Sequence, residues 1–223
     1  MKRPPLRKAI ALLLRTHGAV APPPATDPFA MIVWENVAYL VDDARRRRVF
    51  DALGKGVGID AGAILAAPGK LLRACIADGG MDPPMRARKL REAARIASEL
   101  AEPLAAIVAS DPVRARRTLR KFPGIGEPGA EKILLFTGKH AGLAPESNGL
   151  RVLLRLGFGE EGKSYAASYR SAGAAVAREL PDDPRWLREA HLLLRKHGQE
   201  MCRRSEPLCE VCPLRDVCAH ASA

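Results

Sequence analysis

Four cysteines near the C-terminus, Cys202, Cys209, Cys212 and Cys218, are separated by six, two and five residues. Three chemistries use thiols crowded this closely: a [4Fe-4S] cluster, a zinc site and a pair of disulfides. A four-cysteine zinc site usually reads as two Cys-x-x-Cys knuckles, whereas here a single Cys-x-x-Cys carries one more cysteine on each side at wider intervals. Four thiolates on one compact loop suit the cubane, and disulfides need an oxidising compartment. An all-thiolate cluster is anionic, so nearby cations stabilise it. Arg203, Arg204 and Arg215 lie within or beside the run, where they either serve that role or are solvated surface charges, and Pro207 and Pro213 stiffen the loop.

A second stretch with chemical meaning is LRKFPGIGEPGAEKILLFTGK, residues 119–139. A helix ends, a tight Pro123-Gly124-Ile125-Gly126 turn intervenes, and a second helix starts, the pattern of a helix-hairpin-helix. Gly124 and Gly126 allow positive φ and remove side chains where a phosphate would approach, so backbone N–H groups can face an anion. Pro128 suits the first position of the following helix. An ordinary helical hairpin with capping glycines is the plainer alternative.

The elements that must position these residues are helical. The chain has 223 residues, 47% apolar and only 4% aromatic, and is rich in Ala and Leu, which predicts closely packed helices. Apolar spacing and start signals predict helices over 5–17, 29–53, 60–66, 68–77, 82–101, 102–109, 112–121, 147–157, 164–180 and 184–198. Pro22-Pro23-Pro24 is a stiff linker. A net charge of +11 calls for a polyanionic partner, nucleic acid first. The apolar N-terminal stretch from Ala9 to Leu14 is too short for a secretory h-region, and no run approaches a membrane span, so a cytoplasmic protein is expected.

The hairpin followed some 75 residues later by Cys-x6-Cys-x2-Cys-x5-Cys resembles the endonuclease III and MutY group of helix-hairpin-helix DNA glycosylases. Arg151-Val152, His197-Gly198 and Pro28-Phe29 resemble further stretches of that family. The resemblance implies an all-α, two-lobed fold. A six-helix middle domain, residues 28–140, would carry the hairpin, and a [4Fe-4S] cluster domain would be built from both chain ends, residues 1–27 and 141–223. DNA would bind across the cleft, with the target nucleotide rotated out of the duplex. It also implies a double-stranded DNA partner, a monomer and a nucleoid-associated location.

Two carboxylates follow from the resemblance. The family aspartate just before the Arg-Val helix falls on Glu146, where a carboxylate would stabilise an oxocarbenium-like sugar or orient a nucleophile. Glu35 stands seven residues after Pro28, as a base-protonating glutamate does in MutY-like enzymes, and the apolar run MIVWENVAYLV suggests a buried general acid. Each reads equally as a cap or a structural ion pair. The lysine that attacks the sugar in bifunctional members is replaced by Pro128, which has no amine, so lyase chemistry is excluded unless Lys132 or Lys121 supplies one. Val37-Ala38-Tyr39-Leu40 stands where the family carries glutamines, leaving Tyr39 or Trp34 to stack in the duplex or to belong to the core.

Arg45 to Arg48 read first as a solvated helix face. Arg114, Arg116, Arg117, Arg120 and Lys121 approach the hairpin and have the better claim to the DNA backbone. Cys75 reads as a core thiol, and His191 and His197 are not needed as ligands. The expected function is a base-excision DNA glycosylase without lysine-dependent lyase activity. The alternative is a catalytically impaired iron-sulfur protein that recognises damaged or distorted DNA.

Overall fold

Aspartate followed by proline starts four of the helices, because the aspartate carboxylate accepts the orphan N–H groups of the first turn and proline has none to lose. In a computed structural model describing residues 3–25, 27–137 and 142–222, these starts are Asp27-Pro28, Asp82-Pro83, Asp111-Pro112 and Asp183-Pro184. Among the described residues there are twelve α-helices and no strand. They fall into two compact units, Pro23–Lys139 and Met1–Pro22 with His140–Ala223. The expected boundary at 140/141 lies outside the described residues.

The first unit holds α2 Pro28–Asn36, α3 Asp43–Gly56, α4 Ala61–Ala66, α5 Gly69–Cys75, α6 Pro83–Ser98, α7 Leu104–Ala109, α8 Pro112–Leu119 and α9 Glu127–Phe136. Among the described residues that is eight α-helices, several of them short neighbours separated at Pro68, Pro103 and Pro112. Met31, Ile32, Val33, Leu53, Ile64, Leu90 and Ile133 pack into its core.

The helix expected over 29–53 is two helices. Arg86, 2% exposed, donates from Nη1 to the carbonyls of Val37 and Ile76, from Nε to Met81 and from Nη2 to Gly80. Capturing the Val37 carbonyl removes an acceptor that a continuing helix would need. The Tyr39 N–H donates to Gly79, and Asp42 caps the restarted helix by accepting the Arg45 N–H. Lysine at position 86 keeps the charge and loses the planar fork, leaving buried carbonyls unmet. Arg86→Lys is expected to lower unfolding free energy by about 2 kcal/mol in denaturant titrations, with the helical signal of the native state unchanged.

The second unit holds α1 Leu6–His17, α10 Ser147–Arg155, α11 Tyr165–Ala177 and α12 Pro184–Glu200, followed by short 3-10 turns through the cysteine loop. The apolar N-terminal stretch is core here: Leu6, Ile10 and Leu13 are buried with Leu150, Leu153, Phe158, Leu193 and Leu194. No helix among the described residues is long and apolar enough to cross a membrane.

Candidate active site and metal centre

The hairpin joins α8 to α9. Phe122 and Ile125, 2% and 4% exposed, anchor the turn in the core, so Ile125 offers only its backbone to a ligand. Gly124 has φ +76 and an added Cβ would lie 2.7 Å from Asn36 Oδ1, so glycine is required there. Asn36 Nδ2 donates to the Pro123 carbonyl at 2.9 Å and pins the turn to α2. Gly126 is extended, not left-handed. It caps α9 without a side chain, so no side chain takes the first N–H groups of that helix. Pro128 is the second helical residue and still within the first turn. Arg120 and Lys121 are exposed beside the turn.

Glu35, at the end of α2, is not an isolated carboxyl in an apolar pocket. Lys132 Nζ of α9 lies 2.6 Å from its Oε2, and both side chains are mostly buried. That contact joins the two candidates for proton transfer and for an amine in one pair. Trp34 is core, packed edge-on against Phe50, whereas Tyr39 is 54% exposed. Three of the four consecutive arginines are tied down: Arg45 to the Asp78 carbonyl, Arg46 over the Trp34 ring and Arg47 near Asp51. Arg114 and Arg116 pair with Glu102 and Glu131, leaving Arg117, Arg120 and Lys121 as the exposed cations near the hairpin. Cys75 packs against the core.

In the second unit Glu146 caps α10. Its Oε1 accepts the N–H groups of Asn148 and Gly149, each at 2.9 Å, and its Oε2 accepts from Asn148 Nδ2 at 3.0 Å. His191, 2% exposed, has Nδ1 2.9 Å from the Ala144 carbonyl and so fixes the approach to Glu146. Gly198 lets α12 meet the start of α10, since an added Cβ would lie 2.5 Å from the Asn148 carbonyl. Tyr165 is 46% exposed, but its hydroxyl is shifted upward, by partial burial first and then by the Glu146 charge.

Sequence reasoning missed Arg151 and Arg155, which clasp the cysteine loop. Arg151 donates to Asn148 Oδ1 and to the carbonyls of Gly198 and Cys202. Arg155 donates to the Arg203 and Arg204 carbonyls and approaches Cys202 Sγ at 3.4 Å. Their spacing of four along one helix face was the available signal.

Cys202, Cys209, Cys212 and Cys218 line one hollow with Val152, Leu156, Leu208 and Leu214. Burial pushes the Cys212 thiol up, the Leu214 backbone N–H lowers it, and the other three cysteines raise it further. His197, 1% exposed, has Nε2 3.6 Å from Cys212 Sγ and Nδ1 3.1 Å from His17 Nε2. Burial, then His17, holds it down to about 4.

No protein-family model matches the chain. It is 28% identical over 106 residues to an endonuclease III of Rickettsia prowazekii (strain Madrid E), covering 47% of this chain and 46% of that protein. It is 28% identical over 108 residues to a putative DNA repair glycosylase of Methanocaldococcus jannaschii, covering 48% and 47%. The chain thus matches about half the length of these curated relatives. A non-covalent endonuclease III–DNA complex superposes with a TM-score of 0.76 at 19% identity, over 100% of this chain and 97% of that one. The fold is that of the endonuclease III-like helix-hairpin-helix DNA glycosylases.

All five cysteines of the chain are free thiols. Among the described residues no group of three or more His, Cys, Asp or Glu converges tightly enough for a single ion. The four thiols share one hollow, and Arg155 beside Cys202 Sγ suits an anionic all-thiolate group there.

Proposed function

We propose that this protein is a base-excision DNA glycosylase that hydrolyses the N-glycosidic bond of a damaged or mispaired base in duplex DNA, without lysine-dependent lyase activity. The observation that carries the reading is the Glu146 carboxylate, held at the start of α10 by two backbone N–H groups and by Asn148. A carboxylate fixed in this way stabilises positive charge developing at C1′ with little reorganisation. The C–N bond breaks, its electron pair leaves with the base, water supplies the hydroxyl to C1′, and the departing base takes up a proton. Glu35 is the candidate for delivering that proton, with Lys132 orienting it.

Pro123, Gly124, Ile125 and Gly126 would meet a DNA phosphate through backbone N–H groups, with Arg120 and Lys121 alongside. Cys202, Cys209, Cys212 and Cys218 would hold a [4Fe-4S] cluster, which when bound cross-links the loop beside α10 and takes no part in the hydrolysis. A monomer acting on nucleoid DNA in the cytoplasm completes the reading.

The commitment of both carboxylates to internal partners favours a second reading, a protein that binds damaged or distorted DNA without cutting it. A panel of lesion and mismatch duplexes separates the two. At least one duplex is expected to lose its base as abasic product, and no base release from any of them would leave the binder. Borohydride added during turnover is expected to trap no covalent adduct, because position 128 has no amine; efficient trapping would reveal another lysine at the sugar.

A further inference from the structure

His197, in the last turn of α12, touches the cysteine loop at two places. Its backbone carbonyl accepts the Cys202 N–H at 2.8 Å, and its ring Nε2 lies 3.6 Å from Cys212 Sγ. The residue is 1% exposed, and its other ring nitrogen, Nδ1, lies 3.1 Å from Nε2 of His17, the last residue of α1. The two rings meet edge-on with centroids 5.4 Å apart. His17 Nδ1 lies in turn 3.6 Å from Oε2 of Glu200, whose side chain is 56% exposed. Four side chains from α1, α12 and the cysteine loop thus form one line from a surface carboxylate to a candidate cluster ligand.

The sulfur end fixes the direction of that line. A thiolate bound to metal has no proton, so it can only accept. A neutral imidazole has one donor and one acceptor. With Nε2 of His197 donating to Cys212, its Nδ1 must accept, and His17 must present its Nε2–H. With neutral rings, no other placement of the protons gives both the ring–ring and the ring–sulfur contact a hydrogen.

We infer that His197 donates a hydrogen bond to the Cys212 thiolate and thereby sets the reduction potential of the cluster held there, while His17 keeps the ring in the tautomer that can donate. The inference rests on the cluster reading of the four cysteines. A hydrogen bond to a ligand sulfur offsets negative charge, favours the more reduced state and so raises the potential. His197 is then a positioning residue that acts through Cys212. It is not a ligand, because four thiols already share the hollow. Arg155 approaches a different cysteine, Cys202, so the two contacts can be removed separately. A packing role would need only the shape of the ring, whereas here both ring nitrogens meet polar partners.

The test uses the full-length, iron-loaded protein prepared without oxygen, with the cluster potential read by voltammetry. His197→Gln carries an N–H donor and an acceptor oxygen, and is expected to keep the wild-type potential and iron content. His197→Leu fills similar space without a donor, and is expected to show a lower potential at unchanged iron content. His17→Phe leaves the His197 ring free to change tautomer, so a smaller shift in the same direction is expected. Nitrogen-15 spectra of the wild-type imidazoles should place the His197 proton on Nε2. Neither that tautomer nor the His17 variant depends on the buried leucine being tolerated. Equal potentials across iron-loaded variants would overturn the proposal, as would a His197 with its proton on Nδ1 alone. Loss of iron in His197→Gln would make His197 a ligand and overturn it too. A wild type that takes up no iron would sink the cluster reading and this proposal together.

Discussion

Glu146→Gln is expected to slow single-turnover base release by about 10²–10³-fold while duplex affinity stays within about twofold. The amide keeps one oxygen to accept the Asn148 and Gly149 N–H groups, so the cap of α10 survives, but the negative charge facing the sugar is gone. Removing one preorganised electrostatic contact from a transition state commonly has an effect of that size. Glu146→Asp keeps the charge and can still cap α10, as Asp27 and Asp183 cap their helices, but shortens the side chain by one methylene and so should give an intermediate rate. The separation of rate from affinity is the informative feature. If Glu146→Gln releases base as fast as the wild type, Glu146 is a helix cap and nothing more.

Cys212→Ala is expected to abolish the visible absorption of the purified protein, reduce bound iron from about four per chain to background, and lower the melting temperature by about 10 °C or more. The cysteine loop has little else to hold it. Its contacts to the helices include the carbonyls that Arg151 and Arg155 grip, the approach of Cys212 to His197 and the Leu214 side chain in the core. Without the cluster three thiols and two arginines would remain half-buried around an empty centre. Metal analysis of the wild type distinguishes the alternatives: a colourless protein with one zinc would displace the cubane, and four oxidised thiols with no metal would point to disulfides. Because Arg151 also contacts Asn148, which holds Glu146, loss of the loop is expected to lower base release as well.

Much of this could be read along the chain. Each Asp-Pro pair began a helix, since the capping carboxylate and the proline act within three residues of one another. The hairpin glycine at 124 was legible for the same reason, although Gly126 turned out to be extended, a distinction that glycine's freedom hides. Other features left no local trace. The apolar stretch around residues 29–53 looks continuous, because the residue that breaks it, Arg86, lies 49 positions beyond Val37. Trp34 and Tyr39 are five residues apart in that stretch, yet one is sealed against Phe50 and the other exposed.

The sequence by itself determined the helical class, the four-cysteine set and the hairpin, since capping, backbone freedom and ligand spacing are properties of neighbours in the chain. Only the tertiary structure decided what the charged residues do. Lys132 reaches Glu35 across 97 positions, and Arg151 and Arg155 reach the cysteine loop across about 50. A charge takes its role from the partner that folding brings to it, and Coulomb attraction between distant segments has no periodicity to read.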